Sequence, residues 1–398
     1  MNLEIFGDQV EQELRGNILP FHVEVGIDQT RGGFYGRVND DRTIDANAPK
    51  GLVQHSRLLW TFAHAHRVCQ DPGYLQSAAR AYRYLLDNFW DPDYQGMVWL
   101  VDASGIPIDN HKIIYGQAFA VYGLSEYFLA AGEKQSLDVA IALFETLEQR
   151  AVDRQYEGYF ETFERDWRFT DAINIDETAE PTVKSMNTHL HMLEAYTNLL
   201  RAWDTAELRG RLRVLIDLML ERIVDRQAGQ MKMHFNAEWR SLTNHVSYGH
   251  DIEESWLLVE AAEMLGDEEL LAEVVQTALH MAQVAYNEGL NDDGSLRDDD
   301  QGNDRTWWVQ AEAMVGFLNA YQLSGEKHFL EASYGCWQFI QEKLIDRRYG
   351  EWIWGVDGKG RPMAGEKAGL WKAPYHNGRA CLEVRRRLQL ITAPGKKK

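Results

Sequence analysis

The chain has 398 residues, 45% hydrophobic and 26% charged, a composition that supports a substantial core. Its formal net charge of -20 disfavours nonspecific binding to nucleic acid or to an anionic membrane, and the basic end Lys396, Lys397, Lys398 reads as part of a frayed tail over 393–398. Cys69, Cys336 and Cys381 are widely spaced and form no CxxC, which argues against a disulfide framework or a thiolate metal site.

The amino terminus, MNLEIFGDQVEQELRGNILPF, carries Glu4, Asp8, Glu11 and Glu13 where a secretory signal needs an unbroken apolar run. No stretch of about 18 apolar residues occurs elsewhere, so no membrane span is expected and a reducing cytoplasm fits. GIDQTRGGFYGRV, centred on Gly33, reads as a turn, and 51–70 as a helix apolar on more than one face that carries His55 and Arg57 near its start. WDPDYQGMVWLVDASG around Gly96 leads to a similar helix over 111–131, interrupted by Tyr115 and Gln117, while 134–150 reads as an ordinary amphipathic helix. VDRQYEGYFETFERDW around Gly158 precedes a long polar segment, 170–186, broken by Pro181, which reads either as a mobile loop beside a site or as a passive surface loop.

The next helix, 185–203, sets Asn187, His191 and Glu194 on one face. VDRQAGQMKMHFNAEW around Gly229 leads to 245–264, with His250 and Glu253 one turn apart, and then to an amphipathic partner over 266–285. NEGLNDDGSLRD around Gly294 leads to 305–322, with Trp308 and Glu312 one turn apart. IDRRYGEWIWGVDGKG around Gly350 leads to the last helix, with Trp371, His376 and Arg379 at its start.

Asp ahead of the Gly in most of these turns, and alternating aromatic or apolar residues after it, is hairpin chemistry. The unit returns every roughly 55 to 70 residues from one end of the chain to the other, with room for two helices between turns. Six helix pairs joined by hairpins predict an all-α closed ring in one domain over 1–398, with a central funnel. Each inner helix carries its polar cluster in its first two turns, so the clusters meet at one mouth.

Three histidines at that mouth, with Arg57, Glu253 and Glu312, suit acid–base chemistry near neutral pH. His189 and His191 form an HxH pair, but on a helix their side chains diverge by about 200°, so they form no chelate. No metal site is expected. Trp307, Trp308 and Trp371 beside polar groups suit a sugar. Paired carboxylates at such a mouth also suit glycoside hydrolysis, and a sugar-binding protein without catalysis would use the same aromatics. No Gly-rich phosphate loop, GxSxG or Cys/His protease context is present.

VQHSRLLW, KSMNTHLHMLEAYT, HVSYGHDIEESWLL, RTWWVQAEAMVGFLNAYQ and WKAPYHNGR, with the GGFYG opening, resemble the cellobiose (mannobiose) 2-epimerases of the N-acylglucosamine 2-epimerase family along essentially the whole chain. The resemblance implies an (α/α)6 barrel and a cofactor-free interconversion of glucose and mannose configuration at a reducing-end sugar. It implies catalytic roles for His191, His250, His376, Arg57, Glu253 and Glu312, and sugar contacts from Tyr115, Asn187, Trp308 and Trp371. Trp307, His189, Trp256 and Arg379 are further residues expected at the sugar. Relatives acting on free mannose, or as aldose–ketose isomerases, share much of this constellation. The expected partner is a small carbohydrate, with neither nucleic acid nor membrane, and the chain is expected to be a monomer or homodimer.

Overall fold

Four of the six inner helices are entered directly from a strand and the turns that leave the inner helices are short, and this punctuation sets the architecture. A computed structural model describes residues 1–171 and 182–393. Most of 170–186, the segment read as a mobile or passive loop, and residues 394–398 of the tail lie outside the described residues.

In chain order the helices are α1 Leu3–Glu13, α2 Leu19–Glu24, α3 Leu52–Cys69, α4 Pro72–Tyr84, α5 Ile114–Ala131, α6 Lys134–Arg150, α7 Met186–Ala202, α8 Ala206–Leu218, α9 Tyr248–Leu265, α10 Glu268–Val284, α11 Trp307–Ser324, α12 Lys327–Phe339 and α13 His376–Thr392. Helices α3, α5, α7, α9, α11 and α13 pack side by side in a ring closed where α13 meets α3. Helices α1, α4, α6, α8, α10 and α12 lie outside them, and the first of these is the partner of the last inner helix. The chain is an (α/α)6 barrel of the all-α class.

An inner helix is packed on nearly every side, which explains its lack of a solvated face: from Ile114 to Tyr127 every residue of α5 is buried. Helices α9 and α11 approach closely because position 316 is glycine, where a Cβ would lie 2.6 Å from the Ile252 carbonyl oxygen. Several inner-to-outer turns close on a left-handed residue, as at Gln70, Gly132, Gly266 and Gly325. Asp71, Glu133 and Asp267 then cap the next outer helix with their side chains.

The outer-to-inner connections carry the six expected turns, and Gly33, Gly96, Gly158, Gly229, Gly294 and Gly350 all take positive φ. Antiparallel strand pairs join one connection to the next: Lys50–Gly51 with Leu100–Val101, Lys112–Ile113 with Thr162–Phe163, Lys184–Ser185 with His234–Phe235, and Arg305–Thr306 with Gly355–Val356. Arg37–Asn39 with Glu366–Ala368 joins the last connection to the first. Asp28, Asp91, Asp153 and Asp346 each accept a hydrogen bond from a buried lysine, Lys50, Lys112, Lys184 and Lys367, which fastens turn to strand.

A polar side chain on each inner helix also fastens its turn. Phe34 N donates to His55 Nε2 at 3.2 Å, Met97 N to Gln117 Oε1 at 2.8 Å and Tyr159 N to His189 Nε2 at 2.9 Å. Met231 N donates to Asp251 Oδ1 at 2.8 Å and Leu296 N to Gln310 Oε1 at 2.9 Å. In the last repeat Asn377 holds Glu351 Oε1 at 2.7 Å, and that oxygen accepts from Trp352 N at 3.0 Å. The long connections therefore sit at the N-terminal mouth of the inner ring and the short turns at the opposite mouth. Among the described residues no helix is long and apolar enough to cross a membrane.

Candidate active site

Two residues before or after several of these fastening positions, the inner helices turn a second row of polar groups toward the axis. A cavity of about 230 Å³ at the N-terminal mouth is lined by Arg57, Tyr115, Asn187, His191, His250, Glu253, His376 and four tryptophans, Trp307, Trp308, Trp354 and Trp371. Arg57 is fixed by donating to the Trp371 carbonyl at 2.7 Å and to Tyr115 Oη at 2.8 Å, with its guanidinium 4.5 Å above the Phe119 ring. Trp371 precedes α13 and is 39% exposed, so it forms part of the rim.

The three cavity histidines are each held at Nδ1, by different partners. His191 Nδ1 lies 3.0 Å from Glu194 Oε2, one turn along α7. His376 Nδ1 lies 2.7 Å from Glu312 Oε1. His250 Nδ1 lies 2.7 Å from the hydroxyl of Ser247, the N-cap residue of α9. With Nδ1 engaged, Nε2 is the ring nitrogen left for chemistry in each case. Burial pushes the His250 imidazole down to about 3, with further repulsion from His191. Burial also lowers His376, reinforced by Arg57 and Arg379, and lowers His191 although Glu194 opposes the shift. A neutral imidazole can take a proton at one nitrogen while holding one at the other.

Arg379 organises the carboxylates. Fully buried, it donates through Nη1 to Glu194 and through Nη2 to Glu253 Oε1 at 2.6 Å and Glu312 Oε1 at 2.8 Å. Burial alone would raise Glu194, but Arg379 with His191 and the Tyr375 hydroxyl holds it at about 2. Burial raises Glu253, with repulsion from Glu312 added, and burial raises Glu312 as well. Both accept from the same guanidinium nitrogen, Arg379 Nη2. Ligand atoms of Glu253, Glu312 and His376 lie within 4.8 Å of one another, a spacing a metal ion could use. Arg379 is already the cation on both carboxylates.

Three residues expected at the sugar are placed elsewhere. His189 is fully buried with Nδ1 2.7 Å from the Ser185 carbonyl and Nε2 on Tyr159 N, so it fastens a turn; the helical period that separates it from His191 carries it off the axis. Trp256 donates Nε1 to Glu312 Oε2 at 3.1 Å from beneath the cavity, and Arg379 stacks 4.8 Å from its ring. Neither Trp256 nor Arg379 lines the cavity. Glu312 also lies behind it and reaches it through His376. Sequence reasoning passed over Ser247, Tyr375 and Trp354. Ser247 has a readable signal, a serine three residues ahead of His250 at a helix start; Trp354 has none beyond its place after a turn.

A sequence profile described as N-acylglucosamine 2-epimerase (GlcNAc 2-epimerase) matches residues 33–380. The chain is 40% identical over 388 residues to a cellobiose 2-epimerase of Bacteroides fragilis, covering 96% of this chain and 99% of that one. It is similar to the solved structure of cellobiose 2-epimerase from Bacillus thermoamylovorans B4167, with TM-score 0.94 and 39% identity over 96% of this chain and 100% of that one. A D-mannose isomerase structure matches at TM-score 0.82 and 22% identity over 95% of this chain and 97% of that one, a likeness of fold. The chain belongs to the N-acylglucosamine 2-epimerase family and is an epimerase, an enzyme of the isomerase class.

Proposed function

We propose that the chain epimerises C2 of the reducing-end sugar in β-1,4-linked disaccharides, converting cellobiose to glucosyl-mannose and mannobiose to mannosyl-glucose. The observation that carries this reading is that His250 and His376 line one cavity with Arg57, each with Nδ1 held and Nε2 left for chemistry. The named activity of the relatives over nearly the whole chain supports the disaccharide substrate.

The ring opens to the aldehyde, and one of the two imidazoles removes the C2 proton. The C2–H electron pair moves to form C1=C2 as the carbonyl oxygen becomes an enediolate oxygen. Arg57 offsets that charge without losing its own proton. Rotation about C2–C3 turns the other face of C2 to the opposite imidazole, which enters the step as imidazolium, gives its Nε2 proton to C2 and is left neutral, while the first imidazole keeps the proton it took. His191, backed by Glu194, moves a proton at O1 or O2. The aromatic walls hold the apolar faces of the sugars, and Trp371 at the rim suits the second ring.

The two principal bases are not backed alike. Glu312 receives Arg379 and accepts from His376 Nδ1–H, which leaves His376 Nε2 unprotonated as a base. Ser247 can donate to or accept from His250 Nδ1, so the His250 tautomer is free to switch with each turnover direction.

Proton NMR of the protein with cellobiose, and separately with mannose, in D2O containing EDTA tests this. The 2-epimer carrying solvent deuterium at C2, formed faster from cellobiose, is the expected result. Ketose would instead mark an aldose–ketose isomerase, released glucose a glycosidase, and faster conversion of mannose a monosaccharide enzyme.

A further inference from the structure

Among the described residues five lysines are buried, and four of them meet an aspartate of their turn: Lys50 with Asp28 at 2.9 Å, Lys112 with Asp91 at 3.0 Å, Lys184 with Asp153 at 2.7 Å and Lys367 with Asp346 at 2.8 Å. The fifth, Lys372, is 1% exposed and forms no ion pair with a described residue. Its ammonium donates to the Trp352 carbonyl at 2.6 Å and lies over the face of Trp307, 4.9 Å from the ring centre. An ammonium taken out of water is costly unless it is paired, and an aliphatic side chain would pack on Trp307 as well. The charge at this place therefore calls for a reason that packing does not supply.

Three of the four cavity tryptophans converge on this side chain. Trp307 lines the cavity and Lys372 does not, so the ammonium backs that wall from behind. Trp371, the preceding residue, has its carbonyl held by Arg57 at 2.7 Å, and the Lys372 carbonyl accepts from Gly369 N at 2.9 Å, so the backbone of the rim tryptophan is fixed on both sides. Trp352 precedes Trp354 by two residues. Trp354 packs on Trp307 at 4.3 Å between ring centres, and its carbonyl accepts from Trp307 N at 3.0 Å. One ammonium thus ties the sixth turn, the wall and the rim together, at the face of a ring that attracts a cation.

We propose that Lys372 is a positioning residue for sugar binding: its charged form holds the Trp307 wall and the Trp371 rim at one spacing, and losing the charge weakens the grip on the sugar while leaving the proton transfers alone. The proposal rests on the reading of this cavity as the sugar site. Burial pushes the Lys372 ammonium down to about 8; Glu351, Asp40 and Glu366 oppose that shift and Lys367 adds to it. Glu351 faces it from the sixth turn, Asp40 from just after the strand Arg37–Asn39, and Glu366 and Lys367 from the strand paired with that one. Above that pH the ammonium becomes an amine, which still donates to Trp352 but no longer attracts the ring. The KM for cellobiose therefore climbs from pH 7 to 9.5.

Two readings test it, and both separate Lys372 from Glu253, whose carboxyl is also raised to about 8. In the sugar-free full chain the Trp307 indole 1H–15N signal, assigned by its loss in Trp307→Phe, should titrate between pH 7 and 9.5. It should keep that titration in Glu253→Gln and lose it in Lys372→Met and Lys372→Arg. With cellobiose at pH 7, Lys372→Met should raise KM about fivefold or more and keep kcat within about twofold, the split expected of lost binding. Lys372→Arg, charged at every pH used, should restore most of the affinity and hold KM level from pH 7 to 9.5. A Trp307 signal that stays still in the unaltered chain, or that titrates unchanged in Lys372→Met, would overturn the proposal. So would a KM that climbs alike in the unaltered chain and Lys372→Arg, or a loss in Lys372→Met that falls on kcat. If Lys372→Met does not fold, the unaltered chain, Glu253→Gln and Lys372→Arg decide by the same two readings. Absence of C2 epimer with the Trp307 titration present, and abolished by substitution of Lys372, would count against the proposed function alone.

Discussion

The inner helices carry two rows of polar residues, one facing the turns and one facing the axis, and the rows are built from the same residue types. His55, Gln117, His189, Asp251 and Gln310 each take a turn amide. Arg57, Tyr115, His191 and Glu253, two positions from four of these, line the cavity. The difference teaches that a polar residue on a buried helix has at least two causes. A backbone amide near a turn must be paired, and a substrate must be gripped; a histidine serves either.

Breaking the axial row has the largest expected effect. His376→Asn and His250→Asn should each lower formation of the 2-epimer by about 10²–10⁴-fold, as loss of a general acid–base does, with melting temperature little changed. If the two imidazoles serve opposite faces of C2, one variant should still exchange the C2 proton of cellobiose for deuterium without producing epimer, which NMR in D2O would show. Next comes Arg379→Met, which strands Glu194, Glu253 and Glu312 without their cation. It should cost about 3–5 kcal/mol of stability by denaturant unfolding, as loss of one member of a buried ionic cluster does.

Breaking the turn-facing row should cost stability and spare turnover. His189→Leu leaves the Tyr159 amide unpaired, for about 1–3 kcal/mol in a urea titration. His189→Gln should recover most of that loss, because glutamine does the same task at positions 117 and 310.

The smallest effect sharpens the comparison through pH. Burial lowers the imidazoles of His55, His189, His191, His250 and His376, so in the folded chain they take up protons only below the ordinary value of about 6.5. Below that pH the unfolded chain binds protons that the folded chain does not, so stability is fully present above about 6.5 and falls as pH drops. Each histidine contributes at most about 1.4 kcal/mol per pH unit in that window. His189→Gln should therefore flatten the loss of stability between pH 7 and 5 by one such share, read as the shift of the urea midpoint.

The sequence carried the turns and the helices plainly. Gly with Asp four or five residues ahead of it marks every repeat but the fifth, because a reversal at positive φ tolerates few other residues. The inner helices stood out by having no solvated face. The axial positions Arg57, Tyr115, Asn187, His191, His250, Glu253, Trp308, Trp371 and His376 could be named, because polar groups within an apolar helix start are conspicuous. What stayed hidden was direction. His189 and Trp256 have the chemistry of a sugar site, and only the helix phase within the assembled ring turns them away from it. Arg379 looked like a substrate contact, since nothing local shows that three glutamates from other helices converge on it. Closure by α1 against α13 was equally hidden, because it joins residues more than 300 positions apart in the chain.

The most direct measurement applies one substitution at two positions. His189→Gln and His191→Gln would be assayed side by side for the 2-epimer formed from cellobiose, at a temperature where both are folded. His191→Gln should lose about 100-fold or more, and His189→Gln should stay within about threefold of the unaltered protein. Equal losses in the two, or full activity in His191→Gln, would contradict the assignment of the axial row to chemistry and the turn-facing row to structure.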